Sequence, residues 1–388
     1  MSRYRLLPTP CEEAGLVEHC RHARFVWNLA VEQHAHWRPG RASAPGYVEQ
    51  ARQLTEARAE FAWLRAGSVT VQQQGLRNFL ARTHRTPSWR KAGVHEGFRQ
   101  VAVRPEHIQK LNRRFGRVWV PKVRWVRFRW SRTLPEGVKS YRITQDRAGR
   151  WHIAFAAIPD PIPAPGNGRV VGVDRGVAVS AALSTGELLT APSLTAGERK
   201  RLARLQRQLA RCQRGSNRRK KVKTAIAKLE TRETDRRKDW MEKTSTGLAR
   251  RFDVIRVEDL NIRGMTRSGQ GTADKPGTNV KQKAGLNRGI LANAWGQLVV
   301  RLEHKACGRV AKINAAYTSQ TCSTGGHCAP DNRESQAVFR CTACGFRCHA
   351  DVNAARNIAA GRAVTARGAL QPLGGAMNRE PQPATSTA

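Results

Sequence analysis

Residues 170–176 read Val170-Val171-Gly172-Val173-Asp174-Arg175-Gly176. Three valines around one glycine form a short apolar run of the kind found in a strand buried on both faces. The run ends on a carboxylate, which is costly to desolvate unless it is paired or binds a cation. The same design returns at Val254-Ile255-Arg256-Val257-Glu258. Two acids closing two apolar strands of one sheet imply a shared cation. A third carboxylate, Asp351, lies in His349-Ala350-Asp351-Val352-Asn353-Ala354-Ala355-Arg356-Asn357-Ile358, a helical stretch of small residues able to lie close on such a sheet. Taken singly each acid has an ordinary reading, as a cap, a turn residue or the partner of an arginine. Together they suit magnesium or manganese, hard cations that take oxygen ligands. A pair of such ions activates a water and stabilises the leaving oxygen of a phosphodiester.

The segments around these acids are consistent with an α/β domain. Val177 to Leu183, the turn Ser184-Thr185-Gly186 and Leu188-Leu189 predict a hairpin. Leu202, Leu205 and Leu209, then Val222, Ile226 and Leu229, mark two basic helices broken at Gly215-Ser216-Asn217. The aperiodic run from Gly264 to Gly285 reads as a mobile loop, Gly289 to Lys305 as a helix, and Val310 to Ile313 as a third strand. Upstream, Pro159 to Gly168 carries four prolines and two glycines and reads as a linker. Before it, Val101 to Ile158 alternates with period two, with Val126, Phe128 and Trp130 on one phase and Arg127 and Arg129 on the other. Trp125 and Trp130 are assigned to the core. Glu12 to Trp37 and the following stretch to about Gln100 read as helices.

Lysine and arginine number 69 against 29 acidic residues in 388, a formal net charge of +40 spread along the whole chain. Such a surface needs a polyanion, and nucleic acid is the expected one. No stretch approaches the roughly 20 apolar residues of a membrane-spanning helix, so a membrane partner is not expected. The opening residues lack the apolar core of a signal peptide, which predicts a cytoplasmic, reducing location without disulfides. Five of the nine cysteines, Cys322, Cys328, Cys341, Cys344 and Cys348, crowd one segment. Cys341-Thr342-Ala343-Cys344-Gly345 has the spacing of a zinc knuckle. Its counterpart, Cys322-Ser323-Thr324-Gly325-Gly326-His327-Cys328, lacks the second cysteine in its place. Either Cys328 or His327 supplies the fourth ligand through a wider loop, or the site is incomplete; Cys348 and His349 are weaker substitutes.

In order and spacing, Gly172-Val173-Asp174-Arg175-Gly176, Val257-Glu258-Asp259-Leu260-Asn261, Tyr317-Thr318-Ser319-Gln320-Thr321-Cys322, Asn332-Arg333-Glu334-Ser335-Gln336 and the His349 to Ile358 run resemble the TnpB family, transposon-encoded proteins related to small type V CRISPR effectors. The resemblance implies a multidomain α/β protein. Its parts would be a wedge β-barrel (1–10 and 98–163) interrupted by a helical recognition domain (11–97), an RNase H-like RuvC nuclease domain (164–317 and 345–366), a zinc-ribbon insertion (318–344) and a disordered tail (367–388). It maps Asp174, Glu258 and Asp351 onto the catalytic, magnesium- or manganese-binding acids, and Cys322, Cys341 and Cys344, with Cys328 as a candidate fourth, onto a structural zinc site. Gly325 stands where the family has a zinc cysteine. The implied activity is RNA-guided cleavage of DNA, with a guide RNA and both double- and single-stranded DNA as partners, and sequence choice residing in base pairing. Two other readings of the same acids are a transposase or junction resolvase working without guide RNA, and a guided binder that does not cut. The sequence carries no signal for oligomeric state.

Overall fold

The structure, a computed structural model, describes residues 2–36, 45–81, 88–157, 159–272 and 274–361; the expected tail lies outside them. Along the chain run β1 (Ser2–Arg5), α1 (Pro10–Ala35), α2 (Tyr47–Glu60), α3 (Ala62–Ala66), α4 (Val69–Leu80), β2 (Gly97–Val101), β3 (Ile108–Lys110), β4 (Phe115–Val120), β5 (Arg124–Arg129), β6 (Ser140–Gln145) and β7 (Trp151–Ala156). There follow β8 (Val170–Asp174), β9 (Ala181–Leu183), β10 (Leu188–Leu189), α5 (Ala196–Arg211), α6 (Asn217–Arg251), β11 (Val254–Glu258), α7 (Ile262–Met265), α8 (Val280–Ala292), α9 (Trp295–Lys305), β12 (Val310–Ile313), β13 (Val338–Arg340), β14 (Arg347–His349) and α10 (Ala350–Ala360). The elements fall into two units, Met1–Pro159 with Ala196–Arg232, and Asp160–Thr195 with Glu233–Ala388.

In the first unit an antiparallel sheet of order β1-β7-β6-β2 and a second of order β3-β4-β5 share one core. Tyr4, Phe128, Tyr141, Ile153 and Phe155 fill it at 1% exposure or less. The turn between β6 and β7 forms because the Asp146 carboxylate accepts from the Ala148 and Arg150 amides and Gly149 takes φ +77°. On β5, Val126 and Phe128 point inward while Trp125, Arg127 and Arg129 do not. Trp125 is therefore not a core residue as expected: the Arg117 guanidinium lies 4.5 Å from its ring centroid, and Trp119 meets it edge-on. Trp130 does pack against the core. The α1–α4 helices enclose a separate cluster around Trp27, Leu64 and Phe79.

The second unit is built on a mixed sheet of order β10-β9-β8-β11-β12. β8, β11 and β12 are parallel, β9 runs antiparallel to β8, and β10 runs antiparallel to β9. Its residues divide by parity: Val171, Val173, Ile255 and Val257 face a core completed by Met241 and Leu248 of α6 and Leu298 and Leu302 of α9. Gly172 and Arg256 belong to the other phase, the one covered by α10. Two sequence expectations change here. The Gly264–Gly285 run is not one featureless loop: it holds the end of α7, a bridge between Gly271 and Pro276, and the start of α8. The expected helix over Gly289–Lys305 is two helices. Ala294 between them adopts φ +54°, and the Asn293 side chain turns back to donate to the Val177 and Gly289 carbonyls. Among the described residues no helix is long and apolar enough to cross a membrane.

Candidate functional site

Parallel pairing sets Val173 opposite Val257. The next residue on each strand, Asp174 and Glu258, therefore stand side by side at the strand ends, separated by about the 4.8 Å between neighbouring strands. α10 brings the third acid. It lies tightly on β8 because residue 172 has no side chain: a Cβ there would stand 2.0 Å from the Ala355 carbonyl oxygen and 2.4 Å from the Ala359 nitrogen. His349 caps the helix, its Nδ1 accepting from the Asp351 amide at 3.2 Å, which places Asp351 in the first turn where the helix dipole favours an anion. A Cβ on Gly176, just past Asp174, would lie 3.7 Å from Asp351 Oδ2.

The three carboxylates feel one another. Burial first, then the charges of Glu258 and Asp351, hold the Asp174 carboxyl well above the usual carboxylate range, with Arg333 opposing. Burial also raises Glu258, against the pull of Arg175. The two side chains also act on each other directly, the contact raising Asp174 and lowering Glu258. At the rim, Arg333 Nη2 lies 3.4 Å from Asp351 Oδ1. Arg175, only 5% exposed, donates to the Glu258 and Trp295 carbonyls and fixes the strand ends. Trp295 Nε1 in turn donates to the Gly176 carbonyl at 3.1 Å.

Among the described residues, the three ligating side chains whose donor atoms all lie within 4.8 Å of one another are Cys322, Cys341 and Cys344; the carboxylates stand wider than that. The cysteines sit on two turns that repeat each other bond for bond. In one, the Cys322 amide donates to the His327 carbonyl, Gly326 N–H to the Cys322 carbonyl, and Gly325 N–H to Cys322 Sγ. In the other, the Cys341 amide donates to Phe346, Gly345 N–H to the Cys341 carbonyl, and Cys344 N–H to Cys341 Sγ. Gly326 and Gly345 have φ +75° and +73°, where a side chain would be strained. Gly325 thus occupies the structural place of Cys344. Of the proposed substitutes, Cys328 pairs its backbone with Thr321, His327 is exposed, Cys348 lies in β14 opposite Phe339, and His349 serves as the helix cap. The structure does not bring any of them into the cysteine group.

Buried asparagines that sequence reasoning did not single out join the two clusters. Asn353 Nδ2 donates to the Thr321 carbonyl and its Oδ1 accepts from the Ser323 amide; Asn357 Nδ2 donates to the Thr318 and Thr321 carbonyls. Both sit on α10, four residues apart and at most 1% exposed, so the helix that carries Asp351 also carries the first cysteine turn. Asn332, fully buried, donates to the Gln320 and His327 carbonyls and accepts from Thr342, tying one turn to the other. Two asparagines at helical spacing within an alanine-rich helix were the available signal, since buried amides persist only when their bonds are met.

Comparison with known proteins agrees in extent and in kind. A family model described as "Probable transposase" matches residues 152–269, and one described as "Cas12f1-like, TNB domain" matches residues 295–358. RNA-guided DNA endonuclease InsQ of Escherichia coli (strain K12) is 34% identical over 394 residues, spanning 98% of this chain and 96% of the relative. An RNA-guided DNA endonuclease of Streptomyces pristinaespiralis is 32% identical over 384 residues, 94% of this chain and 90% of the relative. The cryo-EM structure of a Cas12f1–sgRNA–target DNA complex superposes with a TM-score of 0.53 at 13% identity, covering 88% of this chain and 81% of that one, which shows a shared fold. With relatives above 30% identity along almost its whole length, the chain belongs to the TnpB family.

Proposed function

We propose that this protein is an RNA-guided DNA endonuclease whose second unit is a RuvC-type nuclease domain and whose phosphodiester-cleaving centre is Asp174, Glu258 and Asp351. The observation that carries this reading is the convergence of three acids from β8, β11 and α10, with Asp174 pushed up by burial and by both other charges. Like charges are held together at a cost that divalent cations relieve. Magnesium or manganese, when bound, would activate the attacking water and stabilise the leaving oxygen. The protein's own part is positional. β8 and β11 present two carboxylates in register, Gly172 lets α10 approach so that Asp351 completes the set, and Arg175 fixes the strand ends from the buried side. Arg333 holds Asp351 at the rim and is itself 32% exposed, within reach of an anionic backbone. The cysteine turns fit a zinc ribbon: Cys322 Sγ and Cys344 Sγ lie 3.7 Å apart, and a tetrahedral site with bonds of about 2.3 Å has sulfur–sulfur edges of about 3.8 Å.

The nucleic-acid partners follow from the surface. In the first unit Arg201, Lys220, Lys221, Lys228 and Arg232 line a groove of ≈ 500 Å³ between α5 and α6. On the outer side of β4–β5, Arg117 stacks on Trp125 and Arg127 lies over Phe115, a mixture of cation and π-face suited to phosphates and unstacked bases. In this reading the first unit contains the wedge barrel, the helical recognition region and a basic helical hairpin that hold a guide RNA and its DNA heteroduplex. Protein purified from its native host or with its flanking DNA is expected to carry a discrete RNA. Sequencing that RNA identifies the guide, and a duplex matching it is cut when magnesium is present. Protein that cuts DNA without RNA, at sites unrelated to any bound RNA, would overturn the guided reading.

A further inference from the structure

We propose that the Cys322–Cys341–Cys344 cluster is a three-thiolate zinc site with its fourth position open to an exogenous ligand, a small thiol from solution. The inference rests on reading the cluster as a zinc site and concerns what completes it. The two cysteine turns match in four features: the i to i+5 amide bond, the i+4 to i bond, the i+3 amide to sulfur bond and the positive-φ glycine. They therefore present residue i+3 to the same place, and in the first turn that residue is Gly325. A Cβ built there stands 3.5 Å from Cys344 Sγ and 4.0 Å from Cys322 Sγ, with Cys344 Cβ as the next neighbour at 4.0 Å. The vertex thus faces sulfur, and the three nearest atoms to it all belong to Cys322 and Cys344.

It is also reachable from solvent. Gly325 and Cys344 are exposed, while Cys322 and Cys341 are buried at 0% and 2%. The ion would sit with two thiolates at its inner side and its missing ligand at its outer side. The other candidate donors stand outside the three-sulfur group. The Cys328 backbone is held in the bridge to Thr321, Cys348 packs against the buried cluster of Cys322, Phe339, Cys341 and Ala350 without joining the three sulfurs, and His349 Nδ1 accepts the Asp351 amide. A small thiol entering there loses its proton to solvent and gains a metal–sulfur bond, with no change of oxidation state. The site then regains four thiolates, and its metal affinity depends on the thiol concentration around it.

Cobalt(II) is the probe and 2-mercaptoethanol the added thiol. Full-length protein freed of metal and loaded with one equivalent of cobalt is expected to show tetrahedral visible bands and the sulfur-to-cobalt absorbance of three thiolates. Adding 2-mercaptoethanol shifts the visible bands and raises the charge-transfer absorbance by about a third, the ratio of four sulfurs to three. Gly325→Cys shows the four-sulfur spectrum without added thiol and does not respond to it, and it holds cobalt at least about tenfold more tightly against a chelator, as expected for one more protein ligand. A wild-type spectrum of four donors that ignores 2-mercaptoethanol, and changes in Cys328→Ser, Cys348→Ser or His327→Ala, would overturn the open vertex while leaving the zinc reading intact. Failure of wild type to take up cobalt, with uptake by Gly325→Cys, would overturn both, because three thiolates would then not hold the ion.

Discussion

The carboxylate cluster and the cysteine cluster are held by the same short helix, yet they are built differently. Asp174 and Glu258 close adjacent parallel strands, and Asp351 is carried by a helix that meets β8 without an intervening side chain, so all three proposed ligands are present. The cysteines hang from two turns outside that sheet, one of the three is exposed, and a glycine stands in the matching place of the other turn. Chemistry sets the contrast. A reactive centre has to hold like charges in place before its cations and substrate arrive, so it needs a rigid frame. A structural ion supplies its own bonding energy on binding, so a site proposed for one depends less on a rigid frame.

This contrast can be broken by mutation. Asp351→Ala should lower cutting of a guide-matched duplex by about 10²–10³-fold, the scale of removing one preorganised electrostatic group, with target binding unchanged in a gel-shift measurement. Cys344→Ser should instead lower metal content and thermal stability with residual cutting. The reverse pattern would erase the distinction between the clusters. Gly172→Ala tests the frame itself: the added methyl overlaps α10 backbone, and the expected cost is roughly 2–3 kcal/mol in denaturant unfolding together with a loss of cutting. A neutral outcome would mean that the helix does not need its close seat.

Two smaller effects sharpen the picture. Asn353→Ala leaves the Ser323 amide without its buried acceptor and removes one of the two donors to the Thr321 carbonyl, a loss of about 1–3 kcal/mol, and it should weaken cobalt retention as well as cutting, since α10 carries both this amide and Asp351. The last prediction is a pH effect. The raised carboxyl of Asp174 means that the folded protein keeps a proton that the unfolded chain releases near the usual 3.8. Metal-free protein is thus favoured at low pH by this group and loses that contribution as pH rises through the folded value. Magnesium should restore it, so the magnesium-dependent rise in melting temperature grows with pH and disappears in Asp174→Asn.

Much of the acid site was legible in the chain because its signals are local. An apolar run ending on a carboxylate fixes a strand, its buried phase and the position of the acid, and Val170–Asp174 and Val254–Glu258 both read this way. The small residues of α10 likewise announced close packing. The gap in the cysteine pattern was visible at Gly325, but that the two turns share one set of hydrogen bonds, and that neither Cys328 nor His327 joins the cysteine group, depended on contacts between residues the sequence does not pair. The asparagine struts were hidden for the same reason: Asn353 and Asn357 act on Thr318 to Ser323, 30 to 39 residues away. The break at Ala294 depended on Asn293 reaching Val177, and Trp125 left the core because its strand phase, not its apolarity, decided its face.

One assay on Asp174→Ala decides whether the three acids form a single cleaving centre. Wild type and variant, each loaded with the same guide RNA, are given a matched duplex with magnesium, and binding and cutting are measured on the same samples. The expected result is equal binding with cutting lost in the variant by about 10²–10³-fold or more. A variant that binds and cuts like wild type would contradict the assignment of the site.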